Sequence, residues 1–149
     1  MSLNVEPITV LSDDESWYLL ASMTLGRLVT SAAGQPEIFP VNYVVQRPTV
    51  LFRTAEGTKL LSAVLNDRVA LEADEHNVEE GWSVIVKGRA QVLSSAAELE
   101  KADRAQLLPW TPTVKLRYVR IVATEITGRR FRFGTEPDPT SCRINDAGG

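Results

Sequence analysis

The stretch Val50–Leu65, VLFRTAEGTKLLSAVL, decides how this chain is read. It opens on a short apolar strand, Val50-Leu51-Phe52, and closes on Leu60, Leu61, Val64 and Leu65 at helical spacing. Between them, Arg53-Thr54-Ala55-Glu56-Gly57-Thr58-Lys59 gathers two cations, two hydroxyls and a glycine where a helix begins. A helix N-terminus presents unpaired backbone N–H groups and the positive end of its dipole, and so suits an anion. Gly57 lets the backbone come close, while Thr58 and Lys59 add a donor and a full charge. One reading is a phosphate cradle. The other is an ordinary strand-to-helix turn, with Thr58 as cap and Lys59 in water, since the pattern is not a P-loop.

Working outward, the 149 residues fit one domain with its own core. The apolar fraction of 44% and charged fraction of 23% are those of a soluble globular chain. A net charge of −3 gives no overall field that favours nucleic acid. No stretch approaches a membrane span, and the N-terminus lacks the basic-then-apolar order of a signal peptide. The single cysteine, Cys142, excludes an intramolecular disulfide, and a reducing cytoplasm is expected.

Upstream of the decisive stretch, residues 1–11 read as extended. Ser12-Asp13-Asp14-Glu15 is a capping-box signature, and Trp17, Leu20, Ala21 and Thr24 continue it as a helix over roughly 13–23. Gly26 is expected to stop that helix, and 27–31 to form a strand closed by a hairpin turn at Ala33-Gly34-Gln35. The next strand, 37–46, is interrupted by Pro40, which cannot donate to a ladder. It marks an edge, a bulge, or a place where something other than a strand lies alongside.

Downstream, a strand is expected over 69–73, then an acidic loop over 74–80 that holds the only histidine, His76. One histidine in a solvated loop reads as surface, so no metal site is expected. The strand from Trp82 to Leu93 has an apolar face that thins to Gly88 and Ala90, as a tight barrel wall requires. A third helix is expected from Ser94 to about Leu108, a strand over 114–127, a turn at Gly128 and a last short strand over 129–133. Residues 1–134 are assigned to one domain and 135–149 to a polar, disordered tail. Six or seven strands joined mostly by turns, with helices inserted, give a mainly β, antiparallel barrel. Lys115, Arg117 and Arg120 form either a patch for an anionic cofactor tail or a solvated strand face.

Four motifs in order carry a resemblance: Leu25-Gly26-Arg27-Leu28, Phe39-Pro40-Val41-Asn42-Tyr43, Phe52 to Lys59, and Gly81-Trp82-Ser83-Val84 with Lys87-Gly88-Arg89-Ala90. Over residues 12–127 the chain resembles the pyridoxamine 5′-phosphate oxidase-like flavin-binding split-barrel superfamily, and within it small members related to nitroimidazole reductases. The resemblance implies a split β-barrel of the FMN-binding type and an obligate homodimer with a cofactor at each subunit interface. Thr58 and Lys59, beside Gly57, would hold the phosphate. Arg53 and Thr54, after Phe52, would follow the ribityl chain and phosphate, and the backbone around Pro40, Val41 and Asn42 would meet the isoalloxazine. Ser83, with Trp82, would reach the cofactor bound mainly by the partner subunit. Trp82 has a second reading, as core or interface.

The implied activity is an FMN-dependent oxidoreductase acting between a reduced donor and a small organic acceptor. Two alternatives accompany it: a reductase using the deazaflavin coenzyme, and a non-catalytic carrier or sensor that binds a flavin or haem. No catalytic side chain is named, because a flavin performs the electron chemistry itself. The C-terminal stretch Arg129-Arg130-Phe131-Arg132-Phe133-Gly134 lacks the histidine of the pyridoxal-synthesising members, so true pyridoxine phosphate oxidation is not expected.

Overall fold

The computed structural model describes residues 7–55, 68–94, 97–98, 101 and 116–134. In chain order the elements are β1 (Ile8–Val10), α1 (Asp13–Ala21), β2 (Leu25–Ala32), β3 (Gln35–Gln46), β4 (Thr49–Ala55), β5 (Arg68–His76), β6 (Glu80–Val92) and β7 (Leu116–Arg132). The sheet runs β1-β7-β4-β3-β2-β5-β6, every described pairing is antiparallel, and β6 returns to pair with β7. Six strands therefore close a ring, with β1 outside it on the edge of β7. This is an antiparallel split β-barrel. The helix expected from about Thr58 and most of the one expected after Ser94 lie outside the described residues, as does 135–149.

Period-two alternation sorts the side chains. Leu28, Val41, Tyr43, Val50, Phe52, Leu71, Val84, Val86, Val119 and Ile121 point inward and form one buried cluster. Helix α1 closes an end of this core with Trp17 and Leu20. Its start is the capping box read from the sequence: Ser12 Oγ accepts from the Glu15 N–H at 3.2 Å, and the Ser12 N–H donates to the Glu15 carboxylate at 3.3 Å. Its end is tied to the barrel by the buried Tyr43, whose hydroxyl donates to the Leu20 carbonyl at 2.6 Å. Burial, with Glu72 adding to it, pushes the Tyr43 phenol well above its usual value, so it stays a donor. Outside the ring, Leu51 and Leu93 are buried together against Val44 and Tyr118.

Several boundaries differ from the expectation, and two of the differences share a cause. Gly26 does not stop the helix, which ends at Ala21; it lies inside β2, where a Cβ would meet the Glu72 carbonyl at 2.9 Å and the Tyr43 ring at 3.0 Å. Gly128 does not turn the chain. The two expected last strands are one, β7, and Gly128 sits mid-strand because any side chain there would overlap the Ser16 hydroxyl of α1. Both glycines serve close approach rather than a bend. The acidic loop is also shorter than expected, since β5 runs to His76 and β6 starts at Glu80. Asn77 makes so short a turn possible by accepting the N–H groups of Glu79 and Glu80, each at 2.8 Å.

Candidate functional site at the split between two strands

The β3–β4 ladder runs from Gln46↔Thr49 to Tyr43↔Phe52, and among the described residues it goes no further. From there the strands part. Asn42 back to Gln35 pairs only with β2, and Arg53 to Ala55 pairs only with β7. Among the described residues, an opening is left between residues 38–42 of β3 and 53–55 of β4. The Tyr43 N–H donates to the Thr24 carbonyl at 2.9 Å, so the Tyr43 backbone faces the β2 side. Antiparallel alternation then turns the backbone groups of Ile38, Pro40 and Asn42 toward the opening. Pro40, having no N–H, leaves no unpaired donor there and offers its carbonyl alone.

Pro40, Val41, Asn42, Arg53 and Thr54 come together along this opening, but alternation divides them. Pro40, Asn42 and Arg53 lie on the outer face, whereas Val41, Phe52 and Thr54 are buried inside. The Arg53 guanidinium lies over the Tyr118 ring, 5.9 Å from its centroid, which holds a cation at the lip of the split. Gly57, Thr58 and Lys59 lie outside the described residues.

Trp82 and Ser83 are not part of this grouping within one chain. Trp82 is buried in the core cluster that also holds Trp17. Ser83 lies on the outer face of β6, separated from β3 by β2 and β5. At about 4.8 Å per strand step, that separation is roughly 14 Å.

Ser83 belongs instead to a polar network that the sequence did not announce. Its hydroxyl donates to Glu72 Oε2 at 3.0 Å, and Arg27 Nη1 donates to Glu72 Oε1 and Asp74 Oδ2, each at 2.9 Å. Burial, with Asp74 alongside, holds the Glu72 carboxyl above the ordinary carboxylate range, against the lowering influence of Ser83 and Arg27. The two carboxylates raise the Arg27 guanidinium in turn. The polar residues Arg68, Glu72 and Asp74, of one parity along β5, are legible in the sequence. The pairing of Glu72 with Arg27 on β2 depends on a long-range register that local pattern does not encode. His76 is exposed, with its ring edge-on to Phe133 at 6.4 Å. Among the described residues no group of three or more His, Cys, Asp or Glu side chains could hold a metal ion.

A closed antiparallel barrel with one parted strand pair defines the class of the protein, a split barrel. The chain matches the pyridoxamine 5′-phosphate oxidase family over residues 12–130, and it belongs to that family. It is 66% identical over 95 residues to an uncharacterized protein of Mycobacterium tuberculosis, covering 64% of this chain and 86% of that one. The solved structure of the FAD binding protein from Mycobacterium smegmatis is similar with a TM-score of 0.77 and 56% identity, covering 83% of this chain and 100% of that one. A candidate 5-nitroimidazole antibiotic resistance protein from Bacteroides thetaiotaomicron shares the fold at 9% identity, with a TM-score of 0.70 over 88% of this chain and 96% of its own.

Proposed function

We propose that the split between β3 and β4 binds the isoalloxazine of a flavin, and that the protein is a flavin-dependent oxidoreductase acting on a small organic molecule. One observation carries the reading: among the described residues, no ladder joins residues 38–42 of β3 to the Arg53 side of β4. A flavin ring presents alternating donors and acceptors that match a strand edge, and its phosphate matches a cation. The likeness to a protein described as FAD binding supports a flavin as the ligand class. For FMN, the form expected from the sequence, Lys59 and Thr58 would hold the terminal phosphate. When bound, the flavin supplies the redox chemistry; the chain binds it, orients it and shields one face.

The working unit of this proposal is a homodimer. Ser83 lies on β6, three strands from the β3 lip of the split and two from its β4 lip, and in this reading it serves the flavin of the partner subunit across the interface. Leu25 and Ile38 on the outer faces of β2 and β3 are 56% and 65% exposed, apolar surface that a second copy would cover. The test is to purify the protein, denature it and identify the released chromophore by mass. FMN or FAD in near-stoichiometric amount, from a yellow protein that a reduced nicotinamide bleaches, is the expected result. A colourless protein that takes up neither on incubation would refute it.

A further inference from the structure

We propose that a second cleft, apart from the split, is a binding site for a phosphate group. It has a volume of about 560 Å³ and is lined by Gln46, Arg47, Thr49, Lys101 and Arg120. Three cations reach it from three parts of the chain: the β3–β4 turn, the helical residue Lys101, and β7. No carboxylate is among the described residues that line it.

Two of the cations are held in place before any ligand arrives. Arg47 donates to Asp14 at 2.8 Å, and its guanidinium lies 5.9 Å from the centre of the Trp17 ring. Arg120 is half-buried, with Nη2 3.4 Å from the Gln46 amide oxygen. Fixing an arginine fork by its neighbours lowers the ordering that a bound anion would otherwise have to impose. Lys101, exposed at the rim, adds a flexible third charge. Asp14 offsets one of the three cations, which leaves a local excess suited to a phosphate dianion. The Thr49 hydroxyl already donates to the Gln46 carbonyl at 2.8 Å, so toward a ligand it presents lone pairs. A protonated, non-bridging phosphate oxygen or a sugar hydroxyl suits it better than a bare anion.

The cleft is distinct from the split. On the shared outer face of β4 and β7, Leu51 stands between Thr49 and Arg53 and is fully buried against Leu93. Thr49 is four positions along β4 from Arg53, about 13 Å. The phosphate could belong to the adenylate half of a dinucleotide or to a separate phosphorylated small molecule, and the test separates the two.

Calorimetric titration with inorganic pyrophosphate at low salt reads the site directly, using the full chain and the variants Arg120→Gln and Lys101→Gln. Arg129→Gln, on exposed β7 surface, is the control. Saturable binding is expected, weakened tenfold or more by Arg120→Gln, several-fold by Lys101→Gln, and little by Arg129→Gln. Unmeasurable binding at millimolar pyrophosphate, or an equal loss in the control, overturns the proposal. Parallel titrations with FMN and FAD identify the source. A loss confined to FAD assigns the phosphate to a dinucleotide, and an unchanged pair assigns it to a separate molecule. Equal losses for FMN and FAD would merge the cleft with the flavin site and overturn its independence. Because FMN reports on the split alone, failure here is distinguishable from failure of the flavin reading.

Discussion

Glu72 sits at the centre of the polar network on the outer face. It meets Arg27 from β2, Asp74 on its own strand and Ser83 from β6. Its carboxyl is raised above the ordinary range, so the folded chain holds this proton more tightly than the unfolded chain does. The protonated form therefore stabilises the fold. That contribution is complete below the ordinary carboxylate value and is lost as pH rises through the raised one. Glu72→Gln carries a neutral group of the same shape and removes this dependence. Urea unfolding of both proteins, from about pH 4 upward, should show wild-type stability falling relative to the variant. A difference that is flat, or that grows with pH, would contradict the assignment. Tyr43 gives a second test at this scale. Tyr43→Phe removes the shorter of the two hydrogen bonds to the Leu20 carbonyl, leaving it the Met23 N–H at 3.3 Å, and should cost about 0.5–1.5 kcal/mol in the same assay. A cost near zero would mean that the phenol does not anchor α1.

At the scale of elements, the pairing of α1 with β7 rests on Gly128. A methyl group there overlaps the Ser16 hydroxyl and comes within 3.1 Å of a Leu11 methyl, so Gly128→Ala either turns Ser16 away from its bond to the Ser12 carbonyl or shifts the helix on the strand. Overpacking of this kind costs about 1–3 kcal/mol. Gly134→Ala, which meets nothing within 4 Å, is the matched control. Equal unfolding midpoints for the two variants would show that the helix is not seated on Gly128. The same residue shows where sequence was a good guide and where it was not. The capping box, the hairpin turn expected at Ala33-Gly34-Gln35 and the apolar face of β6 are local patterns, and each is present, the turn one residue shorter because Gln35 pairs with Ala32. A glycine, by contrast, is written identically whether it turns the chain or admits a neighbour. Gly26 and Gly128 were read as boundaries because the partner that needs the space is distant in sequence. Alternation had a similar effect at the site: Arg53 and Thr54 are adjacent in the motif but point to opposite faces of β4.

For the whole molecule, the proposal joins two chains around two clefts of the split type. Light scattering at micromolar concentration should give twice the chain mass of 16.4 kDa. A monomer would remove the route by which Ser83 reaches a flavin. The C-terminal arginines bear on the chemistry. Arg129, Arg130 and Arg132 are set in the β6–β7 ladder, and Arg130 lies 3.7 Å from Glu80. They form part of a strand rather than a free basic segment able to grip a vitamin phosphate. Pyridoxine phosphate should therefore not be oxidised at a rate comparable with an authentic oxidase, and steady formation of pyridoxal phosphate would contradict this.

A flavin bound in the split with its phosphate at the Arg53 end makes Arg53 and Lys59 sensitive to the phosphate and not to the ring. The most direct measurement is fluorescence titration of apo-protein with FMN and with riboflavin, for wild type and for Arg53→Ala and Lys59→Ala. Removing a charge-assisted phosphate contact of about 1.5–3 kcal/mol should weaken FMN binding by about 10- to 150-fold and leave riboflavin nearly unchanged. Equal weakening of both ligands, or no flavin binding by the wild-type chain, would contradict the account.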